Sequence, residues 1–486
     1  MEWKMLIWMI KHHGGSAQLK IFGVSPHQME KQNDWRPAVY LSGGAVLRGM
    51  GSSWLTLEDL AETCIEGWRV SRNPAAASYD PLVKTAPVYR LRNIQPYWIE
   101  TEPDHLRPPK LAGQPFCVES LDIIIRKVGA SCAALVTPSH GQHPVDANLG
   151  IIRGLSLAEA VWVCFCLNQP LYQDYLNESD SIGALIRLGL KKIKEMRICP
   201  VPDAVRELAP LYMGAYIRLV DAQQMLASVR HQVKEWIATQ LSGFDTLHET
   251  YSKKCRGQFF NSRYIGDSLH IQQVEQEYLR LQMIEQYGFK PITEFAVINP
   301  VNGESIFAKK SKVLQIANIS EHLSLKFPLP DRTPEIWRTQ NRALCQYDVL
   351  VSTFAENARV AYMDRQPQEL IYPSCQIAAL RFRKYPGAYA LLMESRLVRM
   401  QLERLAFSGG FRFIPFQQLD KIVLPEPDQA TLKFWHEKVV AHHEKSQHAK
   451  SQLEMILQQM VPIFNGAHRN SPSTINRFTG KGGCAT

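Results

Sequence analysis

Twice in this chain a short apolar strand runs into Pro-x-Pro-Asp and then into a long heptad pattern. The first passage is Arg197-Ile198-Cys199-Pro200-Val201-Pro202-Asp203. The second is Ile422-Val423-Leu424-Pro425-Glu426-Pro427-Asp428, with 225 residues from Pro200 to Pro425. Proline cannot continue a strand ladder and holds the residue before it extended. An aspartate next in line offers its carboxylate to the free N–H groups of a first helical turn. Each passage reads as a strand-to-helix switch, with Asp203 and Asp428 as the expected caps.

Each switch leads into an apolar seam. Leu208, Tyr212, Ala215, Leu219, Ala222, Leu226, Val229, Val233 and Trp236 recur at alternating steps of four and three. Leu432, Trp435, Val439, His442, Ser446, Ala449, Leu453, Ile456, Met460 and Ile463 do the same. That spacing is a heptad. Pro210 falls in the first turns of the first helix, where a kink is expected. The second seam weakens at His442 and Ser446, where a register irregularity or a local polar contact is expected. Each helix would be roughly 35 residues, on the order of 50 Å. A helix with one apolar stripe does not stay single in water, so the economical solution pairs the two antiparallel.

Upstream of each switch the halves keep matching at offsets of about 225 to 228. Ser181–Asp203 lies over Ser408–Asp428. Leu121–Gly129 ("LDIIIRKVG") lies over Tyr347–Ala355 ("YDVLVSTFA"), each an aspartate before a β-branched run. Ala147–Gly154 lies over Cys375–Phe382, with Arg153 on Arg381. Leu91–Gln95 lies over Ile316–Ser320. Such a period is far too long for a solenoid and implies duplicated domains. The fold class is therefore α+β: two mixed α/β domains joined by two long helices that form an antiparallel coiled coil, with a pseudo-twofold internal repeat. The expected boundaries are 1–201 for the first domain, 202–243 for the first helix, 244–426 for the second domain, 427–465 for the second helix and 466–486 for a flexible tail.

The length of 486 residues favours more than one domain. The formal charge of +9 permits an acidic partner such as nucleic acid. The ten cysteines show no metal-like spacing and read as reduced thiols. No apolar run approaches the ~20 residues of a membrane span, so a soluble, cytoplasmic protein without membrane contact is expected. Chemistry is hard to find. There is no complete phosphate-binding loop, no G-x-G-x-x-G after a strand and no H-E-x-x-H. The loop His140–Asp146 ("HGQHPVD") could be drawn as an acid–base or metal cluster, but histidines in a Pro- and Gly-containing loop are more often filler. Basic loops stand out more: Lys84, Arg90 and Arg92 in the first half, and Arg263, Tyr264, Lys309, Lys310 and Lys312 in the second. Lysine and arginine on loops neutralise phosphates, and arginine, asparagine and glutamine read base edges. Solvated loop charge explains each of them equally well one at a time.

Taken together, the Asp-led strands "LDIIIRKV" and "YDVLVSTF", the strand-then-Arg runs "LGIIRG" and "IAALRFR", the helical run Tyr389–Gly410 into a Ser/Gly loop, and "LDKIVLPEPDQ" entering a long helix resemble the specificity subunits of type I restriction–modification systems. The resemblance covers nearly the whole length, twice. The second half fits more closely, and "RLGLKKIKEM" departs from the usual loop. The resemblance implies two target recognition domains, each reading half of a split double-stranded DNA site, with the helices setting the unread spacer. It implies two DNA adenine methyltransferase subunits as partners, with a restriction or translocase subunit as a further one. No cofactor belongs to this chain, and S-adenosylmethionine belongs to the partner methyltransferase. This chain would not be an enzyme. The related possibility is a specificity subunit of another methylation-linked phage-defence system. The DNA-binding candidates on this reading are Lys84, Arg90, Arg92 and the Ser181–Arg187 segment, including Arg187, in the first half. In the second they are Arg263, Tyr264, Lys309, Lys310, Lys312 and the Ser408–Arg412 loop, with Ser408, Gly409 and Arg412. The alternatives are a free-standing DNA-binding regulator, a coiled-coil scaffold without a methyltransferase partner, and an enzyme built around His140 and His143.

Overall fold

In the computed structural model the chain divides into two compact units, Met1–Val220 with Ala449–Thr486, and Asp221–His448. The structure describes residues 5–13, 16–24, 54–67, 86–100, 103–106, 117–177, 188–240, 280–299, 311–326, 329–332, 343–354, 358–406 and 413–469. Both units mix helices with small sheets, an α+β architecture.

The first unit opens with a hairpin of β1 (Met5–His13) and β2 (Ser16–Val24). It continues through β3 (Leu55–Thr56), α1 (Leu57–Leu60), β4 (Thr63–Glu66), β5 (Ala86–Val88), β6 (Asp104–Leu106), β7 (Ile123–Arg126), β8 (Ala133–Leu135) and β9 (Leu149–Arg153). Helices α2 (Leu157–Leu167), α3 (Pro170–Asn177) and α4 (Leu190–Lys194) follow, then β10 (Arg197–Ile198) and the first 18 residues of α5 (Asp203–Gln240). The central sheet is antiparallel in the order β4-β9-β7-β8. Its inner strands are apolar up to their terminal arginines because both faces are covered. Ile123, Ile125, Ala133, Leu135 and Ile152 join one core with α2. Ile124, Ala134, Leu149 and Ile151 join a second core on the opposite face. Glu159 reaches back to the N–H of Ser156 at 2.8 Å and satisfies one of the free donors at the start of α2.

The second unit comprises the rest of α5, then β11 (Lys290–Pro291), α6 (Ile292–Phe295), β12 (Ala296–Ile298), β13 (Ser311–Leu314), β14 (Asp331–Arg332), β15 (Asp348–Ser352), β16 (Val360–Tyr362), β17 (Ile371–Pro373) and β18 (Ile377–Phe382). Helices α7 (Pro386–Glu394) and α8 (Arg396–Leu405), strand β19 (Val423–Leu424) and the start of α9 (Gln429–Arg469) complete it. Its central sheet is antiparallel in the order β12-β18-β15-β16. Val349, Val351, Val360, Tyr362, Ala378 and Leu380 face one core, while Leu350, Ala361, Ile377 and Ala379 face the other. The strand order and the two-sided burial are those of the first unit.

The correspondence extends to single atoms. Asp122, just before β7, accepts two bonds from Arg153 at the end of β9, from Nε at 2.9 Å and Nη2 at 2.7 Å. Asp348, at the start of β15, accepts from Arg381 on β18, from Nε at 2.8 Å and Nη2 at 3.0 Å. The second carboxylate oxygen also takes the N–H of Glu119 at 2.7 Å in one unit and of Cys345 at 2.8 Å in the other. The residue before each aspartate, Leu121 or Tyr347, has a left-handed backbone with φ of 73°. Such a conformation is costly without glycine and persists only where its surroundings over-determine it. Both aspartates are 1% exposed. Their carboxylates hold the guanidinium groups of Arg153 and Arg381 above arginine's ordinary range.

Most seam positions read from the sequence lie inside, with Leu208, Trp236, Ser446 and Ile463 half-buried. Ala222 of α5 is buried, and Leu226, Val229 and Val233 share the second unit's core with Leu432, Trp435 and Val439 of α9. In that unit Trp236 meets Trp435 edge-on at 5.6 Å. Nδ1 of His442 lies 2.8 Å from the carbonyl oxygen of Ala222, and Ser446 Oγ lies 3.4 Å from the same nitrogen. The local polar contact expected at the weak point of the seam is therefore present. In the first unit Arg218 donates to Gln452 at 2.6 Å. Gly387 is required by close approach: a Cβ there would come within 2.8 Å of His436 Nδ1 and 3.2 Å of Val439. Pro210 and Pro462 both sit inside continuous helix on exposed faces. Water can take the carbonyl each proline leaves unbonded.

The two switches differ at the cap. Asp428 caps α9, accepting from the N–H of Thr431 at 3.0 Å and its hydroxyl at 2.6 Å. These bonds, the hydroxyl's first, hold its carboxyl below the usual range. Asp203 does not cap. It lies within the first turn of α5, exposed, and pairs with Arg206 at 3.4 Å, while Pro202 supplies the carbonyl for the N–H of Val205. The chain enters α5 one residue earlier relative to its aspartate than it enters α9.

Substituting Asp348→Asn should cost about 3 kcal/mol in a urea titration, because a buried donor set loses its charged acceptor. The double variant Asp348→Leu/Arg381→Met should recover most of that stability. Its β15 and β18 amides should nonetheless broaden or split in an NMR spectrum, since the strand register loses its pin.

Candidate nucleic-acid interface

Three of the sequence-derived DNA-binding candidates fall on described residues. Arg90 and Arg92 are brought together on a single 3-10 turn, Leu91–Asn93, that follows β5 in the first unit. The turn is built around Asn93, which is fully buried. Its side-chain oxygen accepts the N–H of Arg90 at 2.6 Å, and its own N–H donates to the Arg90 carbonyl at 2.9 Å. Arg126, from the end of β7, donates through Nε to the carbonyl of Leu91 at 2.9 Å. The two flanking arginines are exposed. Arg90 lies 3.7 Å from the carboxylate of Asp146, a long pairing that leaves its side chain 46% exposed. An exposed pair at that distance contributes little to stability, so it orients the guanidinium more than it holds the fold.

Lys312 belongs to the second unit, on β13, between β14 and β17. Its ammonium is 3.9 Å from Glu369. Lys84, Arg187, Arg263, Tyr264, Lys309, Lys310, Ser408, Gly409 and Arg412 lie outside the described residues, as do the Ser181–Arg187 segment and the rest of the Ser408–Arg412 loop.

The histidine loop has a structural role. His140 Nδ1 accepts the N–H of Thr137 at 3.0 Å and sits 2.9 Å from its hydroxyl. Its ring packs edge-on against Tyr216 at 5.4 Å, and the ring of His143 lies 5.6 Å from Tyr89. Burial pushes the His140 imidazole down to about 4, so it is neutral at physiological pH. Among the described residues no group of three or more His, Cys, Asp and Glu side chains is arranged to hold a metal ion. Cys164, Cys166 and Cys199 are buried, and burial drives the thiols of Cys164 and Cys166 well above their ordinary range. Among the described residues no helix is long and apolar enough to cross a membrane.

Sequence reasoning misses the anchors beneath the exposed charges. Asn93 and Arg126 carry no signal of their own, although the alignment of "LRNIQ" with "IANIS" sets Asn93 over Asn318. Asn318 plays the same part, accepting the N–H of Gln315 at 3.1 Å.

No family model matches the chain, and no curated protein matches it. Among solved structures it is similar to the S subunit of a type I restriction–modification system from M. genitalium. The two share 9% sequence identity, over 86% of this chain and 96% of that one, with a TM-score of 0.37.

His140 also makes stability depend on pH. A buried neutral imidazole with a depressed pKa contributes stability in full above the unfolded value near 6.5 and loses it as pH falls towards 4. From that window His140 should remove about 3 kcal/mol on acidification. Thermal melting of the full chain should therefore drop between pH 7 and pH 5. The variant His140→Asn, which keeps an acceptor for Thr137 but cannot titrate, should make that drop smaller, the remainder coming from His442, which burial also depresses.

Proposed function

We propose that this protein is a DNA-specificity subunit that recognises a bipartite double-stranded site and directs methyltransferase subunits to it. The observation that carries this reading is the recurrence of one core. The same strand order, the same buried Asp–Arg clamp and the same left-handed residue before it occur in both units. A chain holding two copies of one module has two equivalent surfaces, and a target gripped by both has two parts. The net charge of +9 and the exposed arginines of the 3-10 turn suit a phosphate-rich partner. The reading agrees with the sequence's resemblance to type I specificity subunits.

In this reading residues 1–201 and 244–426 are the target recognition domains. Helices α5 and α9 form an antiparallel coiled coil that fixes the unread spacer and docks two methyltransferase subunits. The pairs Ala222 with His442, Trp236 with Trp435, and Arg218 with Gln452 support opposed helix directions. Methyl transfer from S-adenosylmethionine to adenine N6 belongs to the partner chains, as does cleavage where a restriction subunit joins. The DNA contacts comprise Arg90, Arg92 and Lys312, together with the candidates on the loops outside the described residues.

Methylome sequencing of a host with and without this gene tests the reading. Deletion should erase one bipartite N6-methyladenine motif, and an unchanged methylome would overturn the proposal. Inserting about one helical turn into both α5 and α9, roughly four residues each, should alter the spacer of that motif while both half-sites persist.

A further inference from the structure

The turns Leu91–Asn93 and Ile316–Asn318 are built from the same backbone bonds. Asn93 accepts from the N–H of Arg90, and Asn318 accepts from that of Gln315. Ile94 closes one turn onto Leu91 at 3.3 Å, and Ile319 closes the other onto Ile316 at 3.0 Å. The carbonyl of each asparagine takes an N–H from the returning chain, from Glu100 at 2.9 Å and from Lys326 at 2.7 Å. The residue before each turn's first partner is tied to a neighbouring segment in the same way: Asp146 donates to Tyr89 at 2.8 Å, and Ser374 to Leu314 at 2.9 Å. Each turn also accepts from an arginine, at a different carbonyl in each copy, the first arginine on β7 and the second just before β16. Arg126 reaches the carbonyl of Leu91, and Arg359 that of Ile319 at 3.1 Å.

The side chains that these turns present are not the same. Arg90 corresponds to Gln315, which is half-buried, and exposed Arg92 corresponds to exposed Ala317. Asp146, which orients Arg90, corresponds to Ser374. The acid and the arginine change together, while every supporting backbone bond is kept. A solvated loop would not need a buried asparagine with two turn-closing bonds and a guanidinium strut. A scaffold held constant while its outward residues vary between two copies is what a reading surface requires.

We infer that residues 90 and 92 in the first unit, and 315 and 317 in the second, are specificity-determining positions for the two half-sites. This rests on the DNA-reading function proposed above. An arginine fork matches the O6 and N7 edge of guanine, and a glutamine matches the N6 and N7 edge of adenine. The first unit's turn selects a G·C pair in its half-site. The second unit's turn selects an A·T pair, with Ala317 placed to suit a thymine methyl group.

Selection of bound duplexes from a randomised pool by the full-length chain tests this. Arg90→Gln/Arg92→Ala should abolish a guanine preference at one position of one half-site, a loss of roughly 5- to 150-fold in discrimination. The other half-site and the melting temperature should not move. Gln315→Arg/Ala317→Arg should convert an adenine preference to guanine in the other half-site. Arg90→Lys/Arg92→Lys keeps the charge and removes the fork. It should lose the base preference while the dependence of affinity on salt stays as it was. Unchanged preferences in all three variants would overturn the inference. So would an equal loss on every sequence with a salt slope shallower by about one per arginine removed, the behaviour of phosphate contacts. If the unmodified chain enriches no split sequence, the DNA-reading function itself fails. If it enriches one that these substitutions leave untouched, only the assignment of the turns fails.

Discussion

The buried carboxylate–guanidinium clamp between neighbouring central strands does what apolar packing cannot do in this fold. In most sheets a slip of one residue moves the apolar set to the solvent face, so hydrophobicity alone fixes the register. Here both faces are apolar. Ile123, Ile124 and Ile125 are all fully buried, and so are Val349, Leu350 and Val351. A slipped β7 or β15 would still bury isoleucine or valine on each side. Asp122 and Asp348 meet their arginines in one register only, and the same carboxylates also take the N–H of a residue three positions back. A buried ion pair is weak evidence for net stability, because desolvation offsets its attraction. Its use here is selection among registers that packing leaves nearly equal. The left-handed Leu121 and Tyr347 are the backbone cost of aiming those aspartates inward.

Much of this was legible in the sequence, for identifiable reasons. The strand-to-helix switches could be read because proline constrains its neighbours locally, and α5 and α9 begin at Asp203 and Gln429. The seams could be read because a heptad is a periodic signal, and the polar interruption at His442 announced its own hydrogen bond. The matched positions Asp122 with Asp348 and Arg153 with Arg381 were also visible as an alignment. Their pairing was not, because a strand and its neighbour two elements away share no local signature. The cap at Asp203 misled for a related reason. Pro-x-Pro-Asp fixes where the strand stops but not which residue first takes helical geometry, and a single threonine at position 431 decides the matter for Asp428. For the turn Leu91–Asn93 the sequence shows charged side chains without the supports that aim them. Asn93 is an ordinary letter until its burial and its two turn-closing bonds are seen.

A plain heptad also conceals how differently the two halves of α5 are used. In the first unit α5 buries Val205, Ala209, Tyr212, Met213, Ala215, Tyr216, Leu219 and Val220, a broad stripe that exceeds one seam. There α9 contributes only Ala449, Leu453, Ile456, Met460 and Phe464, a narrow one. In the second unit α9 buries Leu432, Trp435, Val439, His442 and His443, whereas α5 contributes Ala222, Leu226, Val229 and Val233. Helix α5 is thus most broadly buried just after it leaves its own α/β core and narrower further on, whereas α9 buries stripes of similar width in both units. The halves that follow the α/β cores carry the polar contacts that set rotation about the helix axis. Tyr212 donates to the carbonyl of Tyr97 at 2.9 Å, Tyr216 accepts the N–H of Ile99 at 2.6 Å, and His436 accepts the N–H of Gly387 at 3.1 Å. The narrow half of α5 adds to its apolar packing a partly buried pair, Arg230 with Glu394 at 2.7 Å. Burial pushes His442 down to about 3, so this contact between helices stays uncharged across the physiological range. A helix fixed in rotation at its root and packed along one stripe beyond it can change length by whole turns without disturbing the core it leaves.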